Sequence, residues 1–155
     1  AGGHTPNPRY GLVGTGKTGH AEAVEVEFDP AVTSFRKLVD LFWMLHDPTS
    51  LNKQGGDVGT QYRSAIYYFG DAQRRDIEDS RAALPDAARV VTEVGSATDA
   101  GFISVPAEDY HQQYLEKDGQ DANFGSLKPI QCYGKRGPIK QMDKPGIKAI
   151  LKKEL

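Results

Sequence analysis

Segments with strand-like hydrophobic spacing alternate with segments of helical spacing between residues 22 and 94. Strand side chains alternate between two faces, whereas helical side chains return to one face about every 3.6 residues. The strand-like segments are residues 22–28, 64–69 and 89–94, and the helical ones are residues 35–46 and 71–83. This alternation predicts one layered α/β or α+β domain in which helices cover a sheet.

The helix predicted at residues 35–46 has the clearest boundaries. Ser34 can cap its N-terminus, Asp47-Pro48 ends it, and its apolar residues form one stripe. Aromatic residues on both faces of 64–69 predict a central strand. The other predictions are a Gly-rich loop at 49–61, a helix at 107–117, a coil-rich segment at 119–146 and a short basic helix at 147–155.

Glu22 is the most informative single residue. It begins an alternating run in which Val24, Val26 and Phe28 share one face. Counting back by two places Glu22 on that apolar face. A carboxyl group among apolar neighbours has a raised pKa and suits proton donation near neutral pH. The pattern therefore predicts that Glu22 is a general acid.

Irregular segments near this strand carry further polar groups. Tyr10 follows a Pro-Asn-Pro-Arg turn, and Asp57 and Tyr62 lie in a Gly-rich loop. Loops held by a sheet often bind ligands, and two hydroxyls with a protonated carboxyl could surround an oxygen that gains charge. Such loops are also common as plain turns, so both interpretations stay open. The aromatic run at 41–43 is interpreted as part of the helix core, and His20, His46 and His111 as local hydrogen-bond partners.

The single cysteine, Cys132, excludes a disulfide within the chain and is compatible with a reducing compartment. The basic residues Lys128, Lys135 and Arg136 flank it and would lower its thiol pKa. Cys132 is therefore either a reactive thiol on a segment that can reach a site or an incidental surface residue. The sequence predicts no metal site, no membrane span and no nucleic-acid partner.

Charge is distributed unevenly along the chain. Residues 128–155 contain eight Lys or Arg and two Asp or Glu, a net charge of +6, which leaves −8 for residues 1–127. The basic segment either contacts an acidic partner, as in a larger assembly, or is a solvated extension.

Longer motifs occur together along the chain. They are TPNPRY at 5–10, TGHAEAV at 18–24, FWMLHDP at 42–48, QGGDVGTQYRSAIY at 54–67 and AEDYHQQYL at 107–115. In this order and spacing they closely resemble the A-type peptide-methionine sulfoxide reductases. The resemblance runs from residue 1 to about residue 134. It implies a reductase domain at 1–134 with a basic extension at 135–155, and a two-layer α/β sandwich with a mixed sheet and a ferredoxin-like core.

The resemblance also implies a reaction. In the family, a cysteine thiolate attacks the sulfur of methionine S-sulfoxide, a second cysteine forms a disulfide with the first, and thioredoxin reduces that disulfide. Glu22 matches the proton donor, and Tyr10 and Tyr62 match the hydroxyls that hold the sulfoxide oxygen. Asp57 matches a carboxylate that supports the site through water, and Cys132 resembles the resolving cysteine. No bound cofactor is implied, because thioredoxin is an external reductant.

One family motif is absent from the sequence. The nucleophile of the family lies in a Gly-Cys-Phe-Trp motif, and the 155 residues contain none. Two interpretations follow. Either this is an incomplete sequence of an active reductase, or it is a non-catalytic relative that serves as a binding or assembly subunit. The retained Tyr10, Glu22 and Tyr62 favour the reductase, and the basic extension favours the subunit. The chain by itself is expected to have no normal turnover.

Overall fold

Three helices and four short strands form the regular structure of residues 1–112, the part of the chain that the computed structural model describes. The helices are α1 (Tyr10–Val13), α2 (Phe35–Leu45) and α3 (Gly70–Ala82). The strands are β1 (Lys53–Gln54), β2 (Asp57–Val58), β3 (Ala65–Tyr68) and β4 (Glu93–Ser96). Single 3₁₀ turns occur at Thr60–Tyr62, Ala87–Arg89 and Asp109–His111.

Helix α2 confirms the strongest sequence prediction. Ser34 is its N-cap, and the Ser34 hydroxyl accepts a hydrogen bond of 3.4 Å from the backbone N–H of Lys37. Such caps typically contribute about 0.5–2 kcal/mol to stability, and a bond of this length is expected to contribute at the lower end of that range. The buried Val39 and Trp43 lie one turn apart and face α3. Burial of this stripe therefore orients α2.

The core lies where α2, α3 and one face of the β3–β4 pair meet. Its buried members are Val39, Trp43, Ile77 and Val90. Ile66, Tyr68 and Val94 of the two strands pack against these residues. A layer of helices thus covers one side of a small sheet, and the architecture is mixed α and β.

A chain of hydrogen bonds also joins α2 to α3. The indole N–H of Trp43 donates to the buried Ser80 hydroxyl at 3.0 Å, and Ser80 donates to the Asp40 carboxylate. Arg36 pairs with Asp40 at 2.9 Å. The Ser80 and Arg36 hydrogen bonds hold the pKa of Asp40 below its usual value. The one polar atom of Trp43 is therefore satisfied inside the core.

The strands of residues 1–112 form two separate two-stranded sheets. β1 and β2 form an antiparallel hairpin inside the predicted loop 49–61, and β3 and β4 pair in parallel. Ile66 and Tyr68 face the helices, while the Tyr67 ring packs on Phe102 at 5.1 Å on the opposite side. The prediction of a strand with aromatic residues on both faces is confirmed, but within residues 1–112 β3 pairs only with β4, so its predicted central position is not found there. Gly95 lies opposite Tyr67, where a Cβ would be 3.2 Å from the ring.

The predicted strand at 22–28 is wrong for the described structure. Residues 22–28 form no strand, and Val24 and Val26 are 77% and 50% exposed. An extended segment becomes a strand only when another segment satisfies its backbone groups in series, and within residues 1–112 no strand pairs with this segment, which has one backbone bond, from the Glu22 N–H to Gln61. The apolar face on which Glu22 was placed is consequently absent from this part of the chain.

The predicted strand at 89–94 lies further along the chain, at Glu93–Ser96. Residues 90 and 91 use their backbone groups elsewhere. Arg81 donates to the Val90 carbonyl at 3.0 Å, and the Val91 N–H donates to Pro48 at 2.9 Å. Pairing with β3 begins only where Glu93 lies opposite Ala65.

The helix predicted at 107–117 does not begin at Ala107. The side-chain amide of Gln112 donates to the Ala107 carbonyl at 2.8 Å, and the His111 N–H bonds instead to Glu108 at 2.9 Å. This spacing gives a 3₁₀ turn at Asp109–His111. The remainder of that prediction, the coil at 119–146, the domain boundary at 134 and the helix at 147–155 lie outside the described residues.

We expect Ser80→Ala to lower the free energy of unfolding by about 1–3 kcal/mol, because the buried Trp43 N–H loses its acceptor. Urea unfolding followed by the fluorescence of Trp43, the single tryptophan, measures the change. Ser96→Ala removes two exposed hydrogen bonds, one with the Thr98 hydroxyl and one from the Thr98 N–H, and should cost less than about 0.5 kcal/mol because water replaces both partners. Equal costs for the two substitutions would contradict the role assigned to Ser80.

Candidate functional site

Tyr10 and Glu22 are in direct contact. The phenol hydroxyl of Tyr10 donates a hydrogen bond of 2.6 Å to Oε2 of Glu22, and both residues are partly buried. Tyr10 begins the single-turn helix α1, which the buried Val13 anchors. Sequence reasoning placed Tyr10 in a turn and missed this helix, because four residues are too few for a periodic pattern.

The main chain of Glu22 is fixed by a different segment. Its N–H donates to the Gln61 carbonyl at 2.8 Å. Glu22 therefore reaches the site through its bonds to Tyr10 and Gln61, and not through the apolar face of a strand. Its position as a candidate acid was predicted, but the reason given for that position was wrong.

Tyr62 lies next to Gln61 at the end of the 3₁₀ turn Thr60–Tyr62. Its N–H donates to the Gly59 carbonyl at 3.0 Å, and its side chain is partly buried. The following residue, Arg63, donates to Thr60 at 2.9 Å and to the Glu93 carboxylate at 2.7 Å. These two hydrogen bonds of Arg63 fix the turn against β4. The same turn contains Tyr62 and Gln61, whose carbonyl binds the Glu22 N–H.

Asp57 is exposed in β2, where it pairs with Gln54 in the hairpin. Within the described range 1–112, no hydrogen bond joins its carboxylate to Tyr10, Glu22 or Tyr62. Its support of the site through water stays a prediction. Cys132, the candidate resolving cysteine, lies outside the described residues.

His20 organises the loop that precedes Glu22. It is only 2% exposed, its Nδ1 accepts from the Gly3 N–H at 3.1 Å, and its Nε2 lies 2.8 Å from the Thr5 carbonyl. Because Nδ1 accepts, Nε2 must carry the proton that is donated to Thr5. The prediction that His20 is a local hydrogen-bond partner is confirmed.

His111 was predicted to be a local hydrogen-bond partner, and its contact with Tyr10 was not predicted. Its ring lies 3.8 Å from the Tyr10 ring, centroid to centroid, with 32° between the planes. His111 is 101 positions from Tyr10 in the sequence. No local pattern reveals such a contact. The stacking places the turn Asp109–His111 beside the Tyr10–Glu22 pair.

His46 connects α2 to the strand that follows the site loop. Its Nδ1 lies 2.7 Å from the Phe42 carbonyl and its Nε2 lies 2.7 Å from the Ser64 hydroxyl. Ser64 in turn lies 2.7 Å from the Thr92 hydroxyl. Burial lowers the pKa of His46, so the neutral ring is favoured in the folded state. The prediction of a local hydrogen-bonding role is confirmed here as well.

Gln54 fixes the start of the hairpin that carries Asp57. Its side-chain oxygen accepts from the Asp47 N–H and its amide donates to the Asp47 carbonyl, both at 3.0 Å. Hydroxyls of Ser50 and Thr49 lower the pKa of the Asp47 carboxyl to about 2. Residues 47–52, which belong to no regular element, are consequently held by hydrogen bonds of the Gln54 and Asp47 side chains.

The sequence of the chain is similar to that of known proteins. Residues 1–133 match the family described as peptide methionine sulfoxide reductase. The chain is 52% identical over 117 residues to a peptide methionine sulfoxide reductase of Methanothermobacter thermautotrophicus, with 76% of this chain and 69% of the relative covered. It is 51% identical over 137 residues to a chloroplastic A4 enzyme of Arabidopsis thaliana, with 83% and 51% covered.

A solved structure has the same fold in the matched region. Methionine sulfoxide reductase A of Corynebacterium diphtheriae superposes with a TM-score of 0.64 at 43% identity, covering 76% of this chain and 60% of that one. The chain thus spans between 51% and 69% of the length of these three relatives. Within residues 1–112, no group of three or more His, Cys, Asp or Glu could hold a metal ion, and no helix is long and apolar enough to cross a membrane.

We expect the free energy of unfolding to decrease as the pH falls from about 6.5, because the unfolded state protonates His46 more readily than the folded state does. Well above pH 6.5 the ring is neutral in both states and contributes no slope. His46→Asn should reduce the slope between pH 6.5 and the lower pKa of the folded state, as measured by urea unfolding at a series of pH values.

His4→Asn is the matched control, because His4 is exposed. The Asp47 carboxyl contributes a slope of its own only as the pH falls towards its unfolded value of 3.8, so the comparison is made above about pH 5. If His46→Asn kept the slope of the unsubstituted chain, the buried neutral ring would not be its source.

Proposed function

Because the chain belongs to the peptide methionine sulfoxide reductase family, we propose that it takes part in the thiol-dependent reduction of methionine S-sulfoxide in proteins. The observation that carries the proposal is the Tyr10–Glu22 hydrogen bond of 2.6 Å. It joins a phenol and a carboxyl group, the two kinds of group that this reaction needs around the sulfoxide oxygen. The family match favours this function over that of a non-catalytic subunit.

Glu22 is the proton donor in this proposal. A protonated carboxyl group has one O–H donor and keeps acceptor capacity on its other oxygen. Oε2 can therefore accept from Tyr10 while Oε1 carries a proton to the sulfoxide oxygen. Protonation makes that oxygen a better leaving group as the sulfur is attacked. Tyr10 orients the acid, and the Tyr62 hydroxyl, with support from Asp57, helps to hold the oxygen.

The sulfur chemistry requires a thiolate. Its sulfur bonds to the sulfoxide sulfur while Glu22 protonates the sulfoxide oxygen. The resulting hydroxyl group then moves to the thiol sulfur as the S–O bond and the new S–S bond break, which gives a sulfenic acid and methionine. A second thiol, assigned to Cys132, then displaces water from the sulfenic acid and forms a disulfide. Thioredoxin supplies the two electrons that reduce this disulfide. The attacking cysteine belongs to a Gly-Cys-Phe-Trp motif that the 155 residues do not contain.

We also propose a fold for the domain that contains these elements. The layer formed by α2 and α3 on the parallel pair β3–β4 supports a ferredoxin-like two-layer sandwich. A mixed sheet requires more strands beside this pair. Residues 135–155 are proposed as a basic extension of this domain that is either solvated or in contact with an acidic partner, as in a larger assembly.

We expect the 155-residue chain with dithiothreitol to convert almost no peptide methionine S-sulfoxide, because Cys132 is assigned to the second step. A fusion with an upstream family segment that carries Gly-Cys-Phe-Trp should give turnover specific for the S isomer. In that fusion, Glu22→Gln should reduce kcat by about 10²–10⁴-fold, the usual contribution of a general acid. Chromatographic measurement of methionine formed from each sulfoxide isomer provides the readout.

Glu25→Gln is the matched control for this experiment. Glu25 is an exposed carboxylate three positions from Glu22 and should retain the activity of the fusion. Substantial turnover by the unfused chain would contradict the assignment of Cys132. Full activity of the Glu22→Gln fusion would remove Glu22 from the role of acid.

A further inference from the structure

Gln61 is a buried amide at the junction of the segments that carry Tyr10 and Glu22. It is only 4% exposed, although glutamine side chains usually lie at the surface. A buried polar group of this kind is costly unless hydrogen bonds compensate for its lost hydration. The partners of Gln61 therefore indicate what its burial achieves.

The backbone of Gln61 holds the acid. Its carbonyl oxygen accepts the Glu22 N–H at 2.8 Å. Because this N–H belongs to Glu22 itself, the bond restrains the Cα atom from which the carboxyl side chain extends. No regular element in residues 1–112 includes residue 22, so this bond and the two backbone bonds between Ala21 and Ala1 restrain the main chain at the acid.

The side chain of Gln61 holds the phenol. Its Nε2 donates to the Gly14 carbonyl at 2.8 Å. Gly14 ends α1, and its own N–H donates to the Tyr10 carbonyl at 2.9 Å. One residue thus restrains both segments whose side chains meet in the Tyr10–Glu22 hydrogen bond.

Two glycines confine the Gln61 amide. A Cβ at Gly59 would lie 2.3 Å from Oε1 of Gln61, and a Cβ at Gly16 would lie 2.9 Å from the same atom. The Oε1 atom is buried and has no hydrogen-bond partner within the described residues. The orientation of the amide is consequently fixed by the Nε2 bond to Gly14 and by close packing.

We propose that Gln61 is a positioning residue that sets the geometry of the Tyr10–Glu22 acid pair. Within residues 1–112, no hydrogen bond joins its side chain to the carboxyl group or to the phenol, and it acts through the two backbones. Loss of the amide removes the shorter of the two hydrogen bonds from the site loop to the segment that follows α1, since the Thr60 hydroxyl bond to the Gly16 carbonyl is long at 3.4 Å. The phenol is then held less closely on Glu22. This role rests on the proposed function, in which Glu22 is the proton donor. The Tyr10–Glu22 hydrogen bond itself can be tested without substrate.

The test observes the Tyr10 hydroxyl proton by NMR in the full 155-residue chain, with Tyr10→Phe to assign the signal. A phenol held on a carboxylate exchanges its proton with water slowly. Gln61→Met keeps the length of the side chain but removes the amide. We expect exchange to become about tenfold faster, the scale that corresponds to the loss of one hydrogen bond. The amide spectrum of the variant reports whether the fold is kept.

Gln54→Met is the matched control. Gln54 is also buried and also donates to a backbone carbonyl, that of Asp47 at 3.0 Å, but it contacts neither α1 nor Glu22. It should lower stability to a similar extent and leave the Tyr10 signal unchanged. If Gln61→Met does not fold, Gln61→Asn keeps the amide but is one methylene too short to reach Gly14, and it should show the same faster exchange.

Equal exchange rates in the Gln61 variant and the unsubstituted chain would overturn the proposal. Equal acceleration in the Gln54 and Gln61 variants would also overturn it, because the effect would then be general loosening. If the unsubstituted chain showed no slowly exchanging signal, the Tyr10–Glu22 hydrogen bond would not persist in solution, and the proposal would be wrong. The NMR experiment contains no sulfoxide, so it is independent of the reductase assay. If the assay fails but Gln61→Met still accelerates exchange of the Tyr10 hydroxyl proton, only the proposed function is refuted.

Discussion

Hydrogen bonds from buried polar side chains to the backbone are the constraint on which this structure depends. The hydrophobic core joins α2, α3 and the β3–β4 pair, but the segments before α2 and between α2 and β3 contain little regular structure. Backbone groups in such segments must still find partners when they are buried. His20, Gln54 and Gln61 supply these partners, and each connects chain positions that no helix or strand holds together.

The candidate site is a product of this constraint. Glu22 and Tyr10 meet because Gln61 binds the backbone of one and the segment that follows the other. His111 adds a stacked ring from a distant turn. A site built on irregular backbone in this way can place a phenol and a carboxyl group at hydrogen-bonding distance, which a single strand or helix does not do for residues 12 positions apart.

The sequence predicted local features well where one segment contained all the information. The stripe of α2 and its Ser34 cap are periodic and local, and they fold as expected. The strand at 22–28 was also periodic, but a strand needs a second segment to pair with, and the alternation of one segment contains no information about its partner. The shift of β4 to Glu93–Ser96 has a related cause, since contacts of Val90 and Val91 with Arg81 and Pro48 decided where pairing begins.

The sequence by itself determined the family, through long motifs in a fixed order, and with it the candidate residues Tyr10, Glu22 and Tyr62. It also determined α2 and α3, because helical hydrogen bonds close within one segment. Only the tertiary structure decided that Tyr10 binds Glu22, that His111 stacks on Tyr10 and that Gln61 restrains the pair. These contacts join residues 12 to 101 positions apart, and their energies depend on distances that exist only after the chain has folded.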